Sequence, residues 1–328
     1  MSDFTELVDL ANERLGGVVL TANDEFFAPK ENLLREGAPV FRPDDYTDRG
    51  KWMDGWETRR RRAPGHDWCL VRLGLRGVVR GVDVDTRHFK GNFPESFSLA
   101  GADLDADPAL AAGEPAARWH ELVATTRLAG DRSNLHAIDW PQPVTHLLLR
   151  IVPDGGVARL RVYGEVRPDG SRLAARSEVD LAAVEHGGRV LAASDMFFGH
   201  RHHLIYPGPP RGMFDGWETR RRRGPGHDWA VLGLGAPGRI RRVEVDTTFF
   251  KGNAPGACSL EGTAAAGWES AQARWIEILS RQPLVPHALQ RFAAELRAHE
   301  PIGCVRFNIY PDGGVARLRL FGEPEAAR

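Results

Sequence analysis

One block of sequence occurs twice in this chain, and it constrains the fold more than any other feature. Residues 54–62 read Asp-Gly-Trp-Glu-Thr-Arg-Arg-Arg-Arg, and residues 215–223 repeat this block without a change. A Pro-Gly-His-Asp-Trp block follows each copy, at residues 64–68 and 225–229. The period is far longer than the roughly 20 to 50 residues of solenoid repeats, so each copy is expected to be a complete domain with its own core.

Two further blocks support the duplication. Residues 82–92 combine Val-Asp-Val-Asp-Thr with Phe-Lys-Gly-Asn, and residues 243–253 repeat this pattern with Glu244 in place of the first Asp. Pro-Asp-Gly-Gly-Val-Ala-Arg-Leu-Arg stands at 153–161 and again at 311–319. We therefore predict two tandem domains of about 160 residues, a size that suits one hydrophobic core each.

The two copies differ in one loop. We place the domain boundary near residues 168–170, which gives domains at 1–168 and 169–328. The first copy carries about ten extra residues within the stretch 35–51, before its Asp-Gly-Trp-Glu block. A loop of this kind is able to cover a ligand and exclude water, so it favours the first copy as the working site.

The composition is typical of a soluble globular protein. Of the 328 residues, 42% are hydrophobic and 27% are charged, and the net charge of -1 argues against a nucleic-acid partner despite the four-arginine runs. Carboxylates surround those runs, with Asp54, Glu57 and Asp67 in the first copy. No apolar run approaches the ~18 residues of a membrane span, and the N-terminus lacks a charged-then-apolar signal. We expect a cytoplasmic protein, a homo-oligomer without nucleic-acid or membrane partners.

Three cysteines, Cys69, Cys258 and Cys304, form no Cys-x-x-Cys pair, and none has a cysteine at its position in the other copy. This spacing argues against structural disulfides and against a cysteine zinc site. We predict that all three are buried thiols.

Hydrophobic alternation predicts strands rather than helices. Residues 158–163 and 316–321 alternate apolar with polar side chains, which gives a strand one buried and one exposed face. The Pro-Asp-Gly-Gly blocks stand between such runs and are interpreted as hairpin turns, because proline presets the first turn dihedral and glycine accepts positive φ. Residues 275–279 fit a strand or a helix equally. Short strands at turn-punctuated intervals favour an all-β fold of antiparallel sandwiches.

The Asp-Gly-Trp-Glu-Thr-Arg block concentrates groups that bind ligands or move protons. Glu57 is a candidate acid or base, and the planar guanidiniums of Arg59 and Arg61 suit a substrate carboxylate. In an extended segment these three side chains share one face, while Trp56 and Thr58 point to the other. The alternative is structural, with the tryptophan in the core and the arginines paired with neighbouring carboxylates.

His66-Asp67 and its copy His227-Asp228 are candidates for proton transfer, since histidine titrates near neutral pH and a carboxylate is able to orient it. Neighbouring residues on a strand point to opposite faces, however, so this aspartate need not be the partner of this histidine. Both pairs stand directly before a tryptophan, at what we interpret as a strand entry. Capping of that strand is therefore the alternative to catalysis.

The Lys90-Gly91-Asn92 segment and its copy at 251–253 each follow a predicted strand. Glycine lets the backbone approach a ligand closely, and lysine and asparagine supply hydrogen-bond donors at a loop tip. Binding loops cluster at the ends of a sandwich, so we expect this loop at the same end as the Asp-Gly-Trp-Glu block. The alternative is a plain turn with a solvated lysine.

The one dense histidine cluster in the sequence is His200, His202 and His203. Its counterpart at 29–32 holds no histidine, so a metal site there would belong to one copy alone. The chain offers no firm ligand set, and the need for a divalent metal stays open. Nucleophile-elbow, phosphate-loop, dinucleotide and His-Glu-x-x-His motifs are absent, which argues against those mechanisms.

Taken together, the tandem Asp-Gly-Trp-Glu-Thr-Arg-Arg, His-Asp-Trp, Phe-Lys-Gly-Asn and Pro-Asp-Gly-Gly-Val-Ala-Arg-Leu-Arg blocks resemble the allantoicase (allantoate amidinohydrolase) family, and the resemblance covers nearly the whole chain. It implies tandem duplicated jelly-roll, galactose-binding-like antiparallel β-sandwich domains. It also implies hydrolysis of allantoate to ureidoglycolate and urea in the breakdown of purines.

The implied reaction makes modest demands on a protein. Allantoate bears a carboxylate and two ureido groups on one carbon, and the remaining ureido nitrogen helps to expel urea before water adds. The site must supply an acid, a base and cations for the carboxylate. The catalytic candidates are Glu57, His66 and Asp67, or their equivalents Glu218, His227 and Asp228. The substrate-binding candidates are Asp54, Trp56, Arg59, Arg61, Lys90, Asn92 and His146, with the equivalents Asp215, Trp217, Arg220, Arg222, Lys251 and Asn253.

The chain departs from the family in the strand before Pro-Asp-Gly-Gly, where members carry a Thr-His-Val-Arg-Leu-Asn-Ile-Tyr type of sequence. The first copy keeps His146 but lacks the Arg and Asn, which survive in the second copy as Arg306 and Asn308. We therefore expect unequal domains, the first of them catalytic, in which Glu57→Gln and Glu218→Gln differ in severity.

The alternative function is a non-catalytic carbohydrate-binding module, because the jelly-roll fold is widely used for that purpose. The sequence offers no secretion signal and no attached catalytic domain, which favours the enzyme. Release of urea from allantoate distinguishes the two functions.

Overall fold

The chain divides into two compact units, Met1–Arg167 and Pro168–Arg328. The computed structural model describes residues 4–110, 113–168, 178–265, 268–269 and 273–325. Helical structure in these residues is limited to short 3₁₀ turns at Phe4–Glu6, Glu13–Leu15, Lys30–Leu34, Val184–His186, Arg201–Ile205 and Met213–Asp215. None of the helices in these ranges is long and apolar enough to cross a membrane.

The first unit is built from strands. They are β1 (Val8–Asp9), β2 (Val18–Ala22), β3 (Tyr46–Thr47), β4 (Gly50–Lys51), β5 (Trp56–Glu57), β6 (Asp67–Asp85), β7 (Ser96–Ala102), β8 (His120–Arg127), β9 (Leu135–Ala137), β10 (Val144–Val152), β11 (Gly156–Val157) and β12 (Arg159–Val166). The main strand order is β1-β12-β6-β10-β7-β8, and β2 and β9 also pair with β6. All of these pairs are antiparallel.

The long strand β6 organises this unit. A straight strand of its 19 residues would span roughly 60 Å. Its two ends, however, pair with Ile151 and Arg159, and the short segment between those partners reaches at most roughly 30 Å. β6 therefore bends back, and its two halves lie in the two layers of one sandwich.

The bend lies at Gly77. Val144 of β10 and Val166 of β12 both pair with this residue, so it marks the passage from one layer to the other. A Cβ atom at Gly77 would stand 2.6 Å from the carbonyl oxygen of Glu165. Only glycine fits this position without a shift of the backbone.

The bend explains a difference from the sequence prediction. The strands on either side of Pro-Asp-Gly-Gly, β10 and β12, pair with the two halves of β6 and not with each other. The chain bends at this block, as its proline and glycines indicate, but the predicted hairpin is wrong. Alternation reports which face of a strand is buried and does not identify the partner strand.

Apolar side chains from both halves of β6 fill the space between the layers. Leu70 and Val82, one from each half, are fully buried. Trp56 on β5 and Phe89 after β6, both in the connecting segments at one end of the sandwich, are fully buried as well. Burial of one such side chain contributes about 1.5–3 kcal/mol, so the core itself holds these loops in place.

The second unit repeats this topology. Its strands are β13 (Val179–Asp180), β14 (Arg189–Ala193), β15 (Trp217–Glu218), β16 (Asp228–Asp246), β17 (Ala257–Thr263), β18 (Ile276–Pro283), β19 (Leu289–Phe292), β20 (Ile302–Tyr310), β21 (Gly314–Val315) and β22 (Arg317–Pro324). The order is β13-β22-β16-β20-β17-β18, with β14 and β19 on β16. Most of the ambiguous segment 275–279 is a strand, because β18 pairs with β17. The predicted all-β fold of two antiparallel sandwiches is confirmed.

The cysteines lie inside the two sandwiches. Cys69, Cys258 and Cys304 are all free and buried. Burial raises the pKa of the Cys258 thiol to about 12. The predicted buried thiols are confirmed, and a thiol that stays protonated is a poor nucleophile.

Candidate active site

Three loops of the first unit meet at one end of its sandwich. Glu57 on β5 pairs with Gly156 on β11, and the Gly156 amide donates to the carbonyl oxygen of Asn92 over 2.8 Å. A Cβ atom on Gly156 would lie 2.0 Å from the Phe89 ring, so glycine is needed for this close approach. The expectation that the Asp-Gly-Trp-Glu and Lys-Gly-Asn segments share one end is confirmed.

Glu57 and Asn92 form the polar centre of these loops. The Asn92 side-chain amide donates to Glu57 Oε1 over 2.7 Å. Burial raises the pKa of the Glu57 carboxyl, and the hydrogen bond from Asn92 offsets part of this rise. Within the described part of the chain, no cation forms an ion pair with Glu57. The result is a desolvated carboxyl group whose neutral form is favoured relative to that of an exposed glutamate.

A cavity of about 570 Å³ opens beside this pair. The extra loop of the first copy contributes Phe41 and Lys51 to its wall, and the loop after β6 contributes His88 and Lys90. Lys90 Nζ lies 3.9 Å from a carboxylate oxygen of Asp131, which also lines the cavity. The cavity therefore offers cations, an imidazole and a carboxylate next to an aromatic wall.

A second cavity, of about 880 Å³, adjoins the first. The two cavities share Phe27, Glu57, Gly91 and Asn92, so the Glu57 carboxyl lies where they meet. The arginine run 59–62 lines the second cavity. The two cavities therefore differ in their basic groups: guanidiniums line the second, whereas lysines and an imidazole line the first.

The four arginines of the first run fall into two that have carboxylate partners among the described residues and two that do not. Arg59 Nε donates to Asp24 Oδ2 over 2.7 Å, and one terminal Arg61 nitrogen donates to Asp67 Oδ1 over 2.6 Å. Arg60 and Arg62 are exposed, and they make no hydrogen bond or ion pair with any residue that the structure describes. Both line the second cavity. The structure therefore engages the two arginines that the sequence analysis proposed for substrate and leaves their neighbours available.

Two other predicted substrate residues hold the loop together. Trp56 is fully buried and its indole nitrogen donates to the carbonyl oxygen of Asp24 over 2.8 Å. Asp54 forms a buried ion pair with Arg159 over 2.7 Å, and the cation lowers the pKa of this carboxyl against the opposing effect of burial. Both residues place the Glu57 backbone rather than line either cavity.

The predicted His66-Asp67 pair is divided between two clusters. His66 Nε2 lies 2.7 Å from Glu114, which in turn accepts two hydrogen bonds from Arg150. Asp67 is buried and binds Asn23 over 2.7 Å in addition to its arginine. Neither member of the pair lines the cavities at Glu57. The structure does not bring them together with the Glu57 carboxyl.

His146 lies away from these loops. It is 2% exposed, with Nε2 3.0 Å from Asp107 and Nδ1 2.9 Å from the Thr145 hydroxyl. Its strand runs on to Val152 before the Pro-Asp-Gly-Gly turn, which is roughly 20 Å of extended chain. Its described contacts are those of a residue that anchors the far end of β10.

The second unit keeps the glutamate–asparagine pair, but its glutamate is less buried. Asn253 donates to Glu218 Oε1 over 2.6 Å, as in the first unit, but Glu218 is partly exposed. A cavity of about 290 Å³ at this end is lined by the run 220–224 and does not include Glu218. The supporting contacts are repeated: buried Trp217, the ion pairs Asp215–Arg317, Arg220–Asp195 and Arg222–Asp228, and exposed Lys251.

The apolar surface near Glu218 is correspondingly open. Phe197 and Phe198 are 64% and 62% exposed, whereas their counterparts Phe26 and Phe27 are 38% and 36% exposed. In the first unit, Arg49 of the extra loop donates to the Phe26 carbonyl oxygen over 3.0 Å. The extra loop thus partly covers the phenylalanine pair of the first unit, whereas the equivalent pair of the second unit is exposed.

The histidine cluster of the second unit packs into its loop. His203 Nδ1 lies 3.2 Å from the carbonyl oxygen of Gly216, and the rings of His200 and His202 are 4.7 Å apart. Across the ranges that the structure describes, no group of three or more His, Cys, Asp or Glu side chains is placed to hold a metal ion.

Several cavity residues lie outside the sequence motifs. Phe41 and Lys51 belong to the extra loop, which the sequence analysis singled out only by its length. His88 stands where the second copy has Phe249, inside a stretch that is otherwise closely matched. This local difference between the two aligned copies could have identified His88 as a candidate site residue. Asp131 lies in a segment with no recognisable motif.

Fold and site define a protein of two antiparallel β-sandwiches whose first unit carries a buried carboxyl group where two cavities meet. The family model of the allantoicase repeat matches residues 8–167 and 179–325. A probable allantoicase 2 of Burkholderia pseudomallei is 50% identical over 321 residues, which cover 96% of this chain and 94% of that protein. A probable allantoicase of Pseudomonas paraeruginosa is 47% identical, with 98% and 97% covered.

A solved structure gives the same result. Allantoicase of Saccharomyces cerevisiae is similar with a TM-score of 0.83 at 33% identity, covering 96% of this chain and 92% of that one. The chain belongs to the allantoicase family. The resemblance seen in the sequence blocks is confirmed.

Proposed function

We propose that this member of the allantoicase family hydrolyses allantoate to ureidoglycolate and urea in its first domain, with Glu57 as the proton-transfer group. One observation carries the proposal: the Glu57 carboxyl is buried, oriented by Asn92, and placed where two cavities meet. The family match supports the reaction, and the site supports the assignment of residues.

Binding follows from the three arms of allantoate. Its carboxylate suits Arg60 and Arg62, whose guanidiniums are not engaged by any described carboxylate and line the arginine-rich cavity. Its ureido groups are neutral and need both donors and acceptors. Lys90 at the rim of the other cavity is a donor for a ureido carbonyl oxygen.

The chemistry begins with Glu57 as the neutral acid, a form that its raised pKa favours. The lone pair of the retained ureido nitrogen forms a carbon–nitrogen double bond as the other carbon–nitrogen bond breaks. The leaving nitrogen takes the Glu57 proton, and urea departs.

Water completes the reaction. It adds to the carbon of the iminium, and its proton passes to the Glu57 carboxylate. Ureidoglycolate is the product and Glu57 is neutral again. One carboxyl group thus serves as acid and then as base, so the proposed step needs no second titratable group at this position.

A product assay tests the proposal. Purified protein incubated with allantoate is expected to release one urea per substrate, with ureidoglycolate and no ammonia. Glu57→Ala is expected to abolish release while the protein stays folded. Ammonia in place of urea, or full turnover by the variant, would refute the assignment.

We further propose that the enzyme is a cytoplasmic homo-oligomer. Three buried free thiols suit a reducing compartment. The exposed rings of Phe197, Phe198 and Phe214 are of the kind that marks a protein contact. Sedimentation equilibrium tests the oligomer: a mass of a single chain at micromolar concentration would contradict it.

A further inference from the structure

His88 contributes a side chain to the first cavity that the second unit lacks. Its backbone has a φ of 73°, and its amide donates to Asp131 Oδ1 over 2.8 Å. In the second unit Phe249 has a φ of 74°, and its amide donates to His287 Nδ1 over 2.8 Å. The two copies thus hold the same uncommon backbone conformation in the same way. They differ in the side chain that it presents.

The His88 ring joins two segments of the first unit. Its Nε2 atom lies 3.1 Å from the carbonyl oxygen of Pro39, and its ring stacks on Phe41 with centroids 5.5 Å apart and planes at 22°. Pro39 and Phe41 both belong to the extra loop. His88 therefore ties that loop to the Lys-Gly-Asn segment.

The bond to Pro39 also fixes the tautomer of the ring. A carbonyl oxygen only accepts, so the proton of the neutral imidazole is on Nε2. Nδ1 is then an acceptor, and no residue in the described ranges donates to it. Lys51 and Lys90, which line the same cavity, supply only donors. The carboxylate of Asp131, which accepts from the His88 amide through Oδ1, is another acceptor at this cavity, so His88 Nδ1 adds an uncharged one beside it.

We propose that His88 determines substrate specificity by accepting an N–H of a ureido group through Nδ1. The inference rests on the proposed function, since it assigns one arm of allantoate to the cavity beside Glu57. A ureido group presents N–H donors together with a carbonyl acceptor, so the cavity needs placed acceptors as well as the lysine donors, and His88 Nδ1 supplies one. A site with a placed acceptor discriminates against groups that lack the N–H.

The chain itself supplies the test variant. His88→Phe introduces the residue that the second unit holds at the same φ, and it keeps an aromatic ring against Phe41. The KM for allantoate is expected to rise about tenfold, the effect of one hydrogen bond, with kcat changed less than about threefold. His88→Asn, whose amide both donates and accepts and which tolerates positive φ, is expected to recover part of the loss.

Controls separate binding from folding. The reciprocal change, Phe249→His, is expected to leave KM within about twofold, and the thermal midpoints of all three variants should stay within about 3 °C. An unchanged KM in His88→Phe overturns the inference. Equal losses in His88→Phe and His88→Asn with lowered midpoints overturn it as well, because His88 would then be structural.

The outcomes also separate this inference from the proposed function. Loss of turnover in Glu57→Ala together with an unchanged KM in His88→Phe overturns the role of His88 alone. Absence of urea release by the unaltered enzyme overturns both.

Discussion

Glu57 and Glu218 occupy the same place in two copies of one fold. Each accepts a hydrogen bond from an asparagine, over 2.7 Å from Asn92 and 2.6 Å from Asn253. Glu57 is nevertheless buried, while Glu218 is partly exposed. The motif is the same in both copies, so the difference comes from the neighbouring chain.

The extra loop is that neighbour. It places Phe41 and Lys51 at the cavity beside Glu57, and the stretch before Glu218 is about ten residues shorter. A motif supplies the reactive group, but desolvation decides at which pH that group carries its proton. Under the proposed function, the gain or loss of one loop after duplication is what makes the first copy catalytic and the second supporting.

After Glu57, the proposed catalytic residue, the arginines give the largest expected difference between the two units. The double variant Arg60→Ala/Arg62→Ala is expected to raise KM roughly 100-fold, because two charge-assisted hydrogen bonds to the substrate carboxylate are lost. The matched variant Arg221→Ala/Arg223→Ala is expected to leave KM within about twofold. Steady-state kinetics at constant ionic strength measure both. A similar rise in both variants would mean that the runs act by general attraction, and the comparison between the units would fail.

Replacement of Asn92 is expected to have a smaller effect on activity, and one that depends on pH. Its hydrogen bond lowers the pKa of Glu57, whereas burial raises it. Asn92→Ala therefore raises that pKa further, and it removes the group that orients the carboxyl. We expect kcat to fall roughly tenfold.

The dependence of activity on pH shows in which direction the pKa of Glu57 moves in Asn92→Ala. Activity needs the acid form of Glu57 and declines as pH rises through its pKa, so the alkaline limb should move to higher pH in Asn92→Ala. Asn253→Ala should leave the limb in place. A limb that moves to lower pH, or that does not move, would count against Glu57 as the acid.

Arg61 gives the smallest effect on turnover. Its guanidinium pairs with buried Asp67, and Arg61→Ala leaves that carboxylate without the cation. We expect the free energy of unfolding to fall by about 1–3 kcal/mol with kcat/KM nearly unchanged. Arg222→Ala, which removes the same contact to Asp228, should be equally destabilising. Urea denaturation and the urea-release assay of both variants test this, and a large loss of kcat/KM at full stability would return Arg61 to the substrate site.

Much of this arrangement was predictable from the sequence. The duplication gave two domains, alternation gave strands, and the positions of Glu57, Lys90 and Asn92 on loops at one end followed from the sandwich. The bend of β6 was not predictable, because alternation carries no information about strand partners. For that reason the change of chain direction at 153–156 was predicted correctly, whereas the predicted pairing of the flanking strands in a hairpin was wrong.

The ion-pair partners of the charged residues also could not be predicted from the sequence. Sequence spacing does not show which of four consecutive arginines meets Asp24 or Asp67, since the first contact joins residues 35 positions apart. His66 likewise meets Glu114, 48 positions away. Such long-range pairs depend on the folded chain, and they decide which side chains stay available for a ligand.

The most direct test of the central claim is turnover in Glu57→Gln and Glu218→Gln, measured side by side with their thermal midpoints. Glutamine keeps the shape of the side chain and removes its titratable proton. We expect Glu57→Gln to lose on the order of 10² to 10⁴ in kcat and Glu218→Gln to stay within about twofold, both with midpoints close to that of the unaltered enzyme. Equal and large losses at unchanged stability would contradict the account, because the second domain would then also carry out the chemistry.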